Sequence, residues 1–100
     1  MPYAIITTDK PDHAHLRDAH QAAHKKYLDA NKHRLLAAGA MLDDEGSAAH
    51  GGVLIVDTES RKEAEEFVKG DPFSEAGLFE KVMITRWRKA FFNRERLVDL

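Results

Sequence analysis

Hydropathy changes period several times along this chain, and that alternation limits the fold more than any other feature. Tyr3 to Thr8 is a short β-branched and aromatic run closed by the turn-forming Asp9-Lys10-Pro11-Asp12, which predicts a first strand. From His13 to Ala38 the residues Leu16, His20, Ala23, His24, Tyr27, Leu28, Asn31 and Leu35 recur at spacings of three and four. That spacing predicts one long helix with an inward stripe, stopped by Gly39. Ala40-Met41-Leu42 predicts a short second strand, Asp43-Asp44-Glu45-Gly46 a solvent loop, and Gly51 to Val56 a buried third strand that pairs with the second as a hairpin. Ser60 predicts an N-cap, with Glu63 completing a capping box, for a second helix that carries Ala64, Phe67 and Val68 on one face and ends near Gly70. Alternating Val82, Ile84 and Arg86, with Trp87, predict a fourth strand.

The order βαββαβ is that of an α+β, ferredoxin-like domain: a four-stranded antiparallel sheet with two helices on one face. One core and one domain over residues 1–100 are expected, since no internal repeat or Pro-, Gly- or Ser-rich linker interrupts the chain. A domain this small buries a modest share of its surface, and without cysteine no disulfide can staple it. Oligomerisation is the alternative support. A sheet with both helices on one face leaves the other face to be covered, so a homodimer through the sheet faces is expected. Residues 91–100 have no clear period and are read as a tail packed on the partner subunit.

Composition removes several classes of function. A net charge of −2 with interspersed signs leaves no basic footprint for nucleic acid and no polybasic membrane anchor. The start of the chain lacks a signal-peptide pattern and no long apolar stretch is present, so a cytoplasmic location is expected. The lack of cysteine also rules out a thiol nucleophile, leaving oxygen and nitrogen groups to do any chemistry.

Among those groups His20 and His24 stand out, one helical turn apart on the apolar stripe. An H-x-x-x-H pair can hold a divalent metal, but a catalytic zinc needs a third protein ligand that no spacing here singles out. The plainer alternative makes both imidazoles fillers at the edge of the core. A histidine within an apolar stripe is also where a general base belongs, since imidazole accepts and returns protons near neutral pH. Such a base needs an orienting carboxylate, and Asp9, Asp12, Asp43, Asp44 and Asp71 lie near element ends. Asp71-Pro72 also has a purely local explanation, as N-cap and first residue of a short helical turn. Ser74 is either a substrate-binding hydroxyl or a solvated turn residue. Arg86, Trp87 and Arg88 either line a pocket or form a solvated strand face.

The chain resembles the YCII-related family over nearly its whole length. The resemblance rests on Tyr3-Ala4-Ile5-Ile6, His24-Lys25-Lys26-Tyr27-Leu28, Leu35-Leu36-Ala37-Ala38-Gly39 and Gly51. Its most specific carrier is Glu63-Ala64 leading to Asp71-Pro72-Phe73 and Glu75-Ala76-Gly77-Leu78. It implies a dimeric α+β barrel whose cleft brings a first-helix histidine to the aspartate of an Asp-Pro-aromatic motif, here His24 and Asp71. Gln21 stands where many members have arginine, Gly39-Ala40 where many have Gly-Pro, and Gly52 where many have serine, which implies a differently lined pocket.

The family includes a cofactor-free dehydrochlorinase that turns a chlorinated trihydroxybenzene into a hydroxybenzoquinone, and similar barrels serve as lactone isomerases and cofactorless oxygenases. The resemblance therefore implies proton transfer on an electron-rich ring, with His24 and Asp71 catalytic, with His20, Tyr27, Phe73 and Ser74 shaping the pocket, and without cofactor or metal. The expected ligand is a small phenolic substrate. The readings set against a dehydrochlorinase are a non-catalytic module that binds a small aromatic in the same cleft, a lactone-isomerase-like enzyme on the same fold, and a structural partner of a larger enzyme.

Overall fold

Alternation in the first strand sorts its side chains between two faces: Tyr3, Ile5 and Thr7 turn inward while Ile6 and Thr8 are only partly covered. The computed structural model describes residues 1–100 and runs β1 (Tyr3–Asp9), α1 (Ala14–Ala30), β2 (Leu35–Leu42), β3 (Ala49–Val56), α2 (Arg61–Lys69), α3 (Pro72–Glu75) and β4 (Phe79–Arg86). A small hairpin of β5 (Phe91–Phe92) and β6 (Glu95–Arg96) follows. The βαββαβ order is therefore present, with the single turn α3 added after α2. The sheet order is β2-β3-β1-β4 and every pairing is antiparallel, which gives the ferredoxin-like α+β arrangement. No helix is long and apolar enough to cross a membrane.

The core joins Tyr3 and Ile5 of β1, Leu54 and Val56 of β3, and Ala64, Phe67 and Val68 of α2, with Tyr27 and Leu28 of α1 packed at its edge. On the opposite sheet face Val53, Ile6 and Met83 lie side by side across β3, β1 and β4, and Met83 is exposed. Ser60 caps α2 as expected, its hydroxyl accepting the Glu63 N–H at 3.2 Å. The return half of the box is relayed: the Ser60 N–H donates to the Thr58 hydroxyl, which donates to the Glu63 carboxylate.

The long helix expected over His13–Ala38 is two elements. α1 ends at Ala30, where the Asn31 side-chain amide donates to the Tyr27 carbonyl at 2.8 Å and a short 3₁₀ turn, Lys32–Arg34, redirects the chain. Leu35, Ala37 and Ala38 then pair with Val56, Ile55 and Leu54, so β2 begins five residues before Ala40. Gly39 sits mid-strand opposite Val53 and stops no helix. The Leu/Ala run satisfies helical spacing and propensity, but pairing with β3 outweighs both. The fourth strand starts earlier than expected, at Phe79, and ends before Trp87. Residues 91–96 close on themselves through a turn in which Asn93 and Arg94 both adopt positive φ, as a tight hairpin turn requires.

At Gly51 of β3, Thr7 of β1 and Met41 of β2 leave no room for a side chain. A Cβ there would fall within 2.5 Å of Met41 Cε and still closer to the Thr7 carbonyl oxygen, a backbone atom that cannot yield. Gly51→Ala is therefore expected to cost about 1–3 kcal/mol, lowering Tm by roughly 4–20 °C. Gly39→Ala, with nothing within 4 Å of its Cβ, should leave Tm unchanged; thermal denaturation of the two variants checks both.

Candidate active site

Asp71 precedes Pro72 because the pair starts a helical turn: the Asp71 side chain accepts the Phe73 N–H at 2.9 Å, and proline, with no N–H to place, takes the first position of α3. Capping fixes the carboxylate, which is wholly buried. α1 crosses over this turn and brings His24 Nδ1 to 2.9 Å from Asp71 Oδ1 and 3.0 Å from Oδ2. The cap of α3 and the contact with His24 are thus both made by one side chain. Facing a carboxylate, Nδ1 is the donor of this contact, and Nε2 takes no part in it. The imidazole also stacks on Phe73, centroids 4.1 Å apart and planes 16° from parallel. One turn of chain therefore supplies both the partner and the platform for His24.

These groups face a pocket of about 210 Å³ lined by Arg17, Gln21, His24, Lys25 and Leu28 of α1, Thr7 of β1, Ala38 to Ala40 of β2, Gly51, Gly52 and Leu54 of β3, and Asp71, Phe73 and Phe79. That volume lies below the range of roughly 300–1,000 Å³ typical of drug-sized ligands, and it suits a single small ring. Arg17 was not singled out by the sequence, although it lies seven residues before His24 and so on the same helix face. Its Nε and Nη2 donate to Asp9 at 2.7 and 3.0 Å, and its guanidinium lies 4.8 Å from the Phe73 centroid.

Other expected site residues lie elsewhere. His20 makes no hydrogen bond and does not line the pocket, and no set of three His, Asp or Glu side chains gathers around it as metal ligands. Tyr27 turns toward α2, its hydroxyl donating to the Phe67 carbonyl at 2.7 Å and resting against Gly70. Ser74 is on the far side of α3, in a shallow groove with Arg61, Lys69 and Val82, because the turn that directs Phe73 inward directs the next side chain out. Arg86 lies over the Tyr3 ring and donates to its hydroxyl at 3.0 Å, so it clasps the ends of β1 and β4 instead of entering the pocket.

Residues 1–88 match the family model of the YCII-related domain. The proteins called YciI from Escherichia coli O6:H1 and from Shigella flexneri are each 33% identical to this chain over 98 residues, which is 91% of this chain and 100% of theirs. Among solved structures, the 5-chloro-2-hydroxyhydroquinone dehydrochlorinase TftG from Burkholderia phenoliruptrix, in complex with 2,5-dihydroxybenzoquinone, superposes with a TM-score of 0.79. It is 34% identical, and the match covers 88% of this chain and 94% of that one.

Two stability measurements follow from the geometry. Asp71→Ala removes the cap of α3 and strands His24 Nδ1, an expected loss of about 2–4 kcal/mol, whereas Asp71→Asn keeps the Oδ1 acceptor but sets an amide N–H against Nδ1 and should cost about 1–2 kcal/mol. Urea titration of the two variants separates these values. Burial pushes the Tyr27 phenol above its ordinary value, so its contribution to stability is whole at neutral pH and is lost as pH rises beyond about 10. Tyr27→Phe should flatten that alkaline decline in a Tm-against-pH series.

Proposed function

Since this chain belongs to the YCII-related family, we propose that it is a lyase that eliminates hydrogen chloride from a small chlorinated polyhydroxybenzene, with His24 as the proton-transfer group and Asp71 as its orienting partner. The observation that carries the reading is His24 itself. Its Nδ1 is committed to a buried carboxylate, so Nε2 is the nitrogen that meets a ring in the pocket, as in acid–base sites where a carboxylate holds the imidazole tautomer. Likeness to TftG supports the substrate class.

In this reading Nε2 takes the proton of one ring hydroxyl and returns it to the chlorine-bearing carbon, which becomes tetrahedral. Loss of a second hydroxyl proton to Nε2 then expels chloride. Chlorohydroxyquinol becomes hydroxybenzoquinone plus hydrogen chloride, and the ring electrons leave with the halogen, so the step needs no external oxidant and no cofactor. Phe73, stacked on the imidazole, and Phe79, edge-on to the Phe73 ring at 6.3 Å, form the apolar wall for the ligand ring. The working form is a homodimer in which the row Val53, Ile6 and Met83 is covered by the same row of a second copy, and its place is the cytoplasm.

The test is chloride release and quinone absorbance from a chlorinated hydroxyquinol in the presence of chelator. The folded chain should release chloride, and His24→Ala and Asp71→Asn should each lower the rate by about 10²–10⁴-fold. Release that survives His24→Ala undiminished would sink the assignment of the base. A folded chain that binds the ring but releases nothing would be a binding module.

A further inference from the structure

Thr7 is only 3% exposed, and its hydroxyl makes no hydrogen bond within the chain. No enclosed side-chain nitrogen or oxygen lacks a partner, so Oγ1 is not enclosed. The opening it meets is the pocket that Thr7 lines. A hydroxyl left unpaired at a buried strand position costs stability that a methyl of similar size would not, so packing gives no reason for threonine here.

Its surroundings show where the hydroxyl lies. Thr7 pairs with Gly52 across β1 and β3, and a Cβ on Gly52 would stand 3.4 Å from Thr7 Oγ1. Gly52 shares its strand face with Leu54 and Val56, which belong to the core beneath the helices. The space that Gly52 leaves is thus on the helix side of the sheet, and the Thr7 hydroxyl borders it. Besides Thr7, the sheet contributes Ala38 to Ala40, Gly51, Gly52, Leu54 and Phe79 to the pocket, none with a polar side chain. The polar groups across from them, His24 among them, are carried by α1. A ring lying between helix and sheet therefore meets the imidazole from one side and a single hydroxyl from the other.

We propose that Thr7 is a specificity-determining residue whose hydroxyl bonds a second ring oxygen while His24 engages the first, so that the site prefers rings with two or more hydroxyls, an inference that rests on the reading of the pocket as a phenol site. A hydroxyl both donates and accepts. Thr7 can accordingly accept from that oxygen while it is a ring hydroxyl and donate to it once it is a quinone carbonyl, which keeps the ring in register from substrate to product. A ring that presents a methyl at the same place leaves the hydroxyl unpaired, and a site built to bond a hydroxyl discriminates against the analogue that lacks it.

Calorimetric titration with three matched pairs tests this: catechol, resorcinol and hydroquinone, each beside the methylphenol in which a methyl replaces one hydroxyl. The pairs cover every placement of the second oxygen. In at least one pair the natural chain should favour the diol by about 5–50-fold, and Thr7→Val should bring that preference close to unity while Thr7→Ser retains most of it. The Tm of Thr7→Val should be no lower than that of the natural chain, as expected of a hydroxyl that serves a ligand instead of the fold. A preference unchanged by Thr7→Val, or equal weakening of diols and methylphenols, would overturn the proposal while leaving the phenol reading intact. A natural chain that binds none of the six rings would overturn both.

Discussion

A carboxylate with no solvent exposure stays in a protein only when donors replace the water it has lost, and Asp71 meets that condition with two donors of different origin. One is local, the Phe73 N–H two residues on; the other is His24, forty-seven residues earlier in the chain. The local bond fixes where the oxygens point, and the distant bond uses that direction to fix an imidazole. Relative placement of α1, α3 and the pocket follows from this one group. The cap could persist without the histidine, but the histidine would lose its fixed partner without the cap.

Space for a ligand comes from what the sheet leaves out. Ala38, Gly39 and Ala40 of β2 and Gly51 and Gly52 of β3 sit under α1, where larger side chains would fill the gap. Gly51 has an additional reason to be glycine, since the Thr7 carbonyl occupies the room a Cβ would need. The cavity is thus a packing deficit placed beside the buried pair, and it is walled by aromatic rings that give a planar ligand something to lie against.

Elements whose causes are local could be read from the sequence. β1, β3 and α2 announced themselves by period and by the Ser60 cap, and Asp71-Pro72 by its capping chemistry. His24 and Asp71 were legible as a pair through resemblance, because nothing local says that two residues so far apart will meet. Leu35 to Ala38 misled because their spacing continues the α1 pattern, while their state is decided by hydrogen bonds to β3. Arg17 stayed hidden for a similar reason. A lone arginine on a helix reads as solvated until Asp9 is brought alongside it by the turn between β1 and α1. Ser74 and Tyr27 were placed near the site by proximity in sequence, which does not tell which way a side chain points once α3 has turned.

α1 has no fully buried residue. It is docked by polar bonds from one face, Arg17 to Asp9, His24 to Asp71 and Tyr27 to the Phe67 carbonyl, with Tyr27 and Leu28 adding a narrow apolar seam. Elements held by few buried apolar contacts open at lower free energy than the core around them. The helix that carries His24 is accordingly released more easily than the core around it. A ligand that bridges α1 to the sheet works as an added clamp, so occupancy of the pocket and local unfolding of α1 are opposed equilibria, and amide exchange along that one helix reports how full the site is.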